Sequence, residues 1–197
     1  MPTVHLVRHG LVHNPDKVLY GRLPGFRLSD AGERMAQAVA DHLVAQDVPV
    51  KRVIASPLER AQQTASPIGT EPRIIEADNI YAGEKLPSGV KDFLHPRNWW
   101  RLRNPWKPSW GEPYTEQADR MWAAIRDAAA ATPDGDTVMV SHQLPIWIAR
   151  LSFEGRSYLH DPRKRECAVA SVTSFVFEDG EPVSMAYASP AAHVSAS

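Results

Sequence analysis

Four stretches of this chain, far apart in sequence, carry side chains suited to gripping an anion and moving a proton. They are Arg8-His9-Gly10, the run from Ser56 to Arg60, Glu76, and Ser141-His142. Each lies at the end of a stretch that reads as a short strand or just beyond it: Val4 to Val7, Lys51 to Ser56, Arg73 to Glu76 and Thr137 to Ser141. If these strands are parallel neighbours, their carboxyl ends share one edge of the sheet, where open α/β folds collect ligands. Arg8, Arg60, His9 and His142 would then meet around one hollow. A guanidinium cannot lose its proton and matches the oxygens of a phosphate in bidentate fashion. Glu76 would repel a phosphate, so its use there is proton transfer at the bridging oxygen.

The elements that must position these groups follow in order. Leu11 to Leu28 is a long loop rich in Gly and Pro, with Asn14, Tyr20, Gly21 and Arg22 as candidate substrate contacts. Ser29 suits the N-cap of a helix over Asp30 to Gln46, whose Met35, Val39 and Leu43 share a face. Pro57 is placed in the first turn of a second helix, with Arg60 about one turn in. Tyr114 to Ala131 has strong helical periodicity, and Pro145 opens a further helix to about Phe153. The Glu178-Asp179-Gly180-Glu181 turn predicts a hairpin between strands over Ala170–Phe177 and Val183–Tyr187. Alternating strands and helices predict an α/β three-layer sandwich: a mostly parallel sheet, helices on both faces and an antiparallel edge. One domain over residues 1–190 is expected, with a Trp- and Pro-rich lid inserted at about 83–113. A short helix is expected near Val90 to Leu94, and residues 191–197 are expected to form a flexible tail. Arg101 and Arg103 of the insertion are further candidate substrate contacts.

Composition narrows the function. With 22 Lys and Arg against 23 Asp and Glu, the chain lacks the excess charge of a nucleic-acid or anionic-membrane binder. Cys167 is the sole cysteine, so no internal disulfide forms and a reducing, cytoplasmic location is expected. No secretory signal and no membrane-length apolar run is read in the sequence. His9 and His13 are four apart, a spacing that binds metal on a helix, but here a strand leads straight into Gly10, so no metal site is expected. Lys91 to Trp110 interleaves cations with tryptophans and could stack on nucleic acid; the balanced charge favours a lid instead. Arg163-Lys164-Arg165 reads as a solvated loop, and Cys167 as core.

Taken together, Val7-Arg8-His9-Gly10, the Gly21 to Gly32 loop, Ser56 to Ala65 and Val140-Ser141-His142 resemble the histidine phosphatase superfamily, the phosphoglycerate mutase-like proteins. The resemblance covers residues 1 to about 150. It implies a phosphohistidine mechanism without metal or other cofactor. His9 would be the nucleophile; Arg8, Arg60 and His142 would hold the phosphoryl oxygens; Glu76 would be the acid and base, with Glu84 and then Asp78 in reserve. The implied partner is a small phosphorylated substrate, and oligomeric state stays open, a homodimer included. The chain departs from the family pattern at Leu11-Val12, where Glu-Ser or Glu-Thr is usual, at Asn14, which comes one residue early, and at Asn79 to Glu84.

Three functions compete on this reading: a phosphatase, a mutase moving phosphate between hydroxyls, and a non-catalytic binding module. Tyr81-Ala82-Gly83 and Arg101-Leu102-Arg103 match the mutase stretches poorly, and all four pocket residues are present, so hydrolysis is expected. His9 must attack as neutral imidazole, so activity should fall at low pH.

Overall fold

The computed structural model describes residues 1–17, 20–69 and 113–195. Five strands form one sheet: β1 (Thr3–Arg8), β2 (Val50–Ala55), β3 (Asp136–Ser141), β4 (Val172–Glu178) and β5 (Glu181–Ala188). Their order is β2-β3-β1-β4-β5. β2 and β1 both pair parallel to β3, while β4 runs antiparallel to β1 and β5 antiparallel to β4. Four of the five strands therefore point the same way and β4 alone reverses.

Helices cover both faces. α1 (Asp30–Ala45) and α2 (Glu59–Ala65) pack Met35, Val39, Leu43, Ala61 and Ala65 against Val7, Val53, Val138 and Val140. On the opposite face, α3 (Tyr114–Ala131) and α4 (Gln143–Phe153) pack Met121, Trp122, Ile125 and Ile148 against Val4, Leu6, Met139 and Phe175. Val4 and Leu6 face one layer and Val7 the other, as the two-residue period of a strand requires. Among the described residues no helix is long and apolar enough to cross a membrane.

Several element boundaries have a local cause. Ser29 accepts the Gly32 amide at 3.1 Å, and Asp30 and Glu33 lie in the first turn of α1, where the helix dipole favours negative charge. The chain turns at Asp179 and Gly180, both at positive φ (50° and 82°), which is the geometry of a tight hairpin loop. His5, buried at mid-strand, contacts Asp136 at 3.2 Å and Ser174 at 2.8 Å, while Asp136 also accepts the Thr3 amide, so three strands are tied beneath the site.

Three expectations need correction. α2 begins at Glu59, not at Pro57, so Arg60 is its second residue rather than one turn in. α4 begins at Gln143, which puts Pro145 at its third position; the first N–H groups of a helix have no intrahelical acceptor, so proline costs nothing there. Instead of the start of a flexible tail, Pro190–His193 forms a 3-10 turn, because Ala191 is buried against the α1 face of the sheet. The strand at Arg73 to Glu76, the 83–113 lid and its helix near Val90 lie outside the described residues, save Pro113.

The end of β1 is locked onto α1 by two glycines. A Cβ on Gly10 would sit 2.6 Å from the Gly32 carbonyl oxygen, and one on Gly32 would sit 2.0 Å from the Leu11 carbonyl oxygen. Both neighbours are backbone and cannot swing aside. Gly32→Ala should therefore cost at least the ~1–3 kcal/mol of overpacking, read as a lower urea midpoint at unchanged slope. A midpoint equal to that of the parent would show that the two segments separate freely.

Candidate active site

The three parallel strands end level with one another. Arg8 pairs with Ser141 and Ala55 with Val140, so Arg8-His9, Ser56 and Ser141-His142 emerge side by side. Backbone bonds continue just past the strands: the His9 amide donates to Ser141 O and the Ser56 amide to Val140 O. The two imidazole rings meet edge to face with centroids 5.2 Å apart. Arg8 and Arg60 both act electrostatically on both rings. The structure thus brings together Arg8, His9, Arg60 and His142.

Each group is held by something the sequence does not advertise. The His9 Nδ1–H donates to the Gly10 carbonyl at 2.8 Å, which leaves the Nε2 lone pair unprotonated. Arg8 donates from NH1 to the Cys167 carbonyl at 2.6 Å. Arg60 donates from NH2 to the Gly21 carbonyl at 2.8 Å, and its guanidinium lies 4.8 Å above the Tyr20 ring. The His142 Nε2 is 2.9 Å from Ser56 Oγ. Thr64 joins two parts of the site, since its hydroxyl accepts the Gly10 amide at 3.0 Å and donates to the Arg60 carbonyl at 2.7 Å.

The electrostatics are those of an anion site. His9 and Arg60 are each 4% exposed. Among the described residues neither Arg8 nor Arg60 has a carboxylate partner, and the buried Nε of each has no hydrogen-bond partner. Burial holds both guanidinium pKa values below normal. Burial, reinforced by Arg60 and Arg8, pushes His9 down to about 3 against the pull of its bond to Gly10, and His142 goes well below 6.5 from burial, His9 and both arginines. Both rings are neutral at physiological pH. His9 therefore takes up a proton only well below its ordinary pKa. The hollow presents two fixed cations, two neutral imidazoles and the N-terminus of α4, which has no side-chain cap bond.

Of the other expected contacts, Tyr20 and Gly21 come to the cluster through Arg60. Asn14 and Arg22 share their loop. Glu76, Glu84, Asp78, Arg101 and Arg103 lie outside the described residues. Ser56 and Thr64 are positioning residues that spacing alone does not single out; the signal was their place in the Ser56 to Ala65 segment. Arg165 corrects the reading of Arg163 to Arg165 as a solvated run. Arg163 is exposed and pairs with Asp161, but Arg165 folds inward to His160 and Gln143.

The chain matches, over residues 4–189, the profile described as Histidine phosphatase superfamily (branch 1). It is 49% identical over 197 residues, 96% of each chain, to the uncharacterized protein Rv0525 of Mycobacterium tuberculosis (strain H37Rv). Its fold is similar to a mutant phosphoserine phosphatase of Entamoeba histolytica in complex with phosphoserine (TM-score 0.71, 21% identity, covering 96% of this chain and 98% of that one). It is also similar to the mycobacterial glucosyl-3-phosphoglycerate phosphatase Rv2419c in complex with VO3 (TM-score 0.68, 23% identity, 88% and 92%) and to a putative α-ribazole-5'-P phosphatase of Escherichia coli (0.70, 21%, 91% and 93%).

The depressed histidines link stability to pH. An unfolded histidine takes up its proton near 6.5 while folded His9 resists until about 3, so unfolding absorbs a proton across that window. Stability is then lost as pH falls below about 6.5, and His9 contributes up to about 1.4 kcal/mol per pH unit of that loss. Urea unfolding at descending pH should show a shallower loss in His9→Gln than in the parent. Parallel curves would mean that His9 titrates normally in the folded protein.

Proposed function

We propose that this chain, which belongs to the histidine phosphatase superfamily, is a metal-independent phosphatase that hydrolyses a small phosphomonoester through a phosphohistidine on His9. The observation that carries this reading is a neutral His9, its Nε2 left unprotonated by the Nδ1–H bond to Gly10, flanked by two guanidiniums whose buried Nε donors have no partner among the described residues.

In the forward half-reaction, His9 Nε2 attacks phosphorus in line with the ester oxygen. The N–P bond forms as the P–O bond to the alcohol breaks. Arg8, Arg60 and His142 hold the equatorial oxygens, whose charge the arginines offset in place of a metal ion. The Nδ1–H stays on the Gly10 carbonyl and stabilises the imidazolium that develops. Glu76, with Glu84 and Asp78 in reserve, gives its proton to the leaving alcohol. The same carboxylate then takes a proton from water, which attacks phosphorus and releases phosphate and free His9. Tyr20, Gly21, Asn14, Arg22, Arg101 and Arg103 stand as substrate contacts.

His9→Ala should abolish release of phosphate from an aryl phosphate and the acid-labile phosphoprotein seen on rapid quenching, with its circular dichroism unchanged. Retained activity would refute the nucleophile. Arg60→Ala should lower kcat by about 10²–10³, the usual effect of deleting one donor to developing charge. Glu76→Gln should slow alkyl phosphates far more than aryl phosphates, because aryloxide leaves without protonation. Equal slowing of the two would move the acid to another residue. With 3-phosphoglycerate the product should be inorganic phosphate; 2-phosphoglycerate would establish the mutase reading.

A further inference from the structure

Beyond the four-residue hollow lies a further cation that the chemistry above does not use. Arg165 comes from the segment between α4 and β4 and folds back toward the carboxyl edge of the sheet. Its Nε donates to His160 Nε2 at 2.8 Å, and its NH1 makes a long contact of 3.5 Å with Gln143 Oε1. His160 is fixed as an acceptor because its Nδ1–H donates to the Tyr158 carbonyl at 2.7 Å, and its ring is flanked by Trp147 and Tyr114. Gln143 directly follows His142, and its Nε2 contacts at 3.5 Å the same Cys167 carbonyl that takes Arg8 NH1. A continuous path therefore runs from His160 through Arg165 and Gln143 to Arg8.

The charge balance of this path is unusual. Arg165 is only partly exposed, and among the described residues its partners are neutral: an imidazole nitrogen and an amide oxygen. The nearby acidic residues are engaged elsewhere, Asp161 by Arg163 and Glu166 by Arg150. Burial is the main influence against its charge and Arg8 adds to it, against smaller support from Tyr114 and Cys167. A guanidinium desolvated beside another guanidinium, with neutral acceptors only, is a costly arrangement that an anion between or beside the two would offset. That anion is not the transferred phosphoryl group alone. The cations acting on His9 and His142 are Arg8 and Arg60, whereas Arg165 reaches the site through Gln143 and the Cys167 carbonyl that Gln143 shares with Arg8.

We propose that Arg165 is a specificity-determining residue that binds a second anionic group on the substrate, a carboxylate or a further phosphate carried close to the ester being cleaved. This rests on the pocket being the phosphate-ester site inferred above. Gln143 and His160 act as positioning residues that hold the guanidinium in place. The natural substrate is then a phosphomonoester with an acidic substituent rather than a neutral alcohol phosphate.

Two matched pairs test this. 3-Phosphoglycerate against glycerol 3-phosphate changes a carboxylate to a hydroxymethyl group; glucose 1,6-bisphosphate against glucose 6-phosphate removes a second phosphate. In at least one pair the more acidic member should be preferred at least ten-fold in kcat/KM, mainly through KM, as one charge-assisted hydrogen bond provides. Arg165→Gln should shrink that preference to below about three-fold, and Arg165→Lys should restore part of it. The pair that shows the effect names the second anion. No preference in either pair, a preference that survives Arg165→Gln, or equal loss on both members of a pair would overturn the proposal. Calorimetric binding of the same compounds to the His9→Ala protein, with and without Arg165→Gln, reads the subsite without turnover. If the parent protein hydrolyses no phosphate ester but this binding preference depends on Arg165, the phosphatase reading fails and the subsite stands. If binding shows no such dependence, the subsite fails whatever the turnover.

Discussion

The burial of two guanidiniums next to two imidazoles governs the rest of this structure. Cations that share a dry hollow repel one another, and each loses its water. The fold answers with carbonyl oxygens, from Cys167 to Arg8 and from Gly21 to Arg60, and with the face of the Tyr20 ring. These partners orient the charges without neutralising them, so the positive potential stays available to a ligand. Burial, with that potential added, keeps His9 and His142 deprotonated. On the phosphatase reading proposed above, anion binding and a neutral His9 would both draw on this buried, positively charged hollow.

The sheet makes this concentration of charge feasible. Three parallel strands ending level supply three of the site's segments, and the Gly10–Gly32 contact sets how far the chain travels before α1 begins. Helices on both faces seal the apolar layers, so the ionisable groups gather at the edge rather than in the interior. His5 and Asp136 are the exception, a polar pair within the sheet whose hydrogen bonds with Ser174 and Thr3 satisfy it locally.

Much of this was legible in the residues because the signals are local. Apolar periodicity places α3 at Tyr114–Ala131, the Ser29 side chain caps α1, and Asp179-Gly180 makes the hairpin. The convergence of Arg8, His9, Arg60 and His142 was legible from strand-end placement together with family resemblance. Backbone carbonyls carry no residue code, so Cys167 and Gly21 as guanidinium anchors were not. Arg165 was misread because a basic triplet looks solvated until tertiary packing folds one member inward. The turn at Pro190–His193 escaped for a related reason: Ala and Ser composition suggests a loose end, whereas one buried methyl, that of Ala191, docks it. The start of α2 was misplaced because proline marks the approach to a helix as readily as its first turn.

The Thr64 hydroxyl has a consequence for how this protein would fail on heating. It fastens the backbone beside His9 to α2, which also carries Arg60 and is only seven residues long. A helix that short has little cohesion of its own and depends on its tertiary contacts. Should it fray, the hollow would lose a cation and the tether of the His9–Gly10 backbone in the same event, while the sheet stayed intact. Thermal inactivation would then be a local melting, set by a two-turn segment and reached before the domain as a whole gives way.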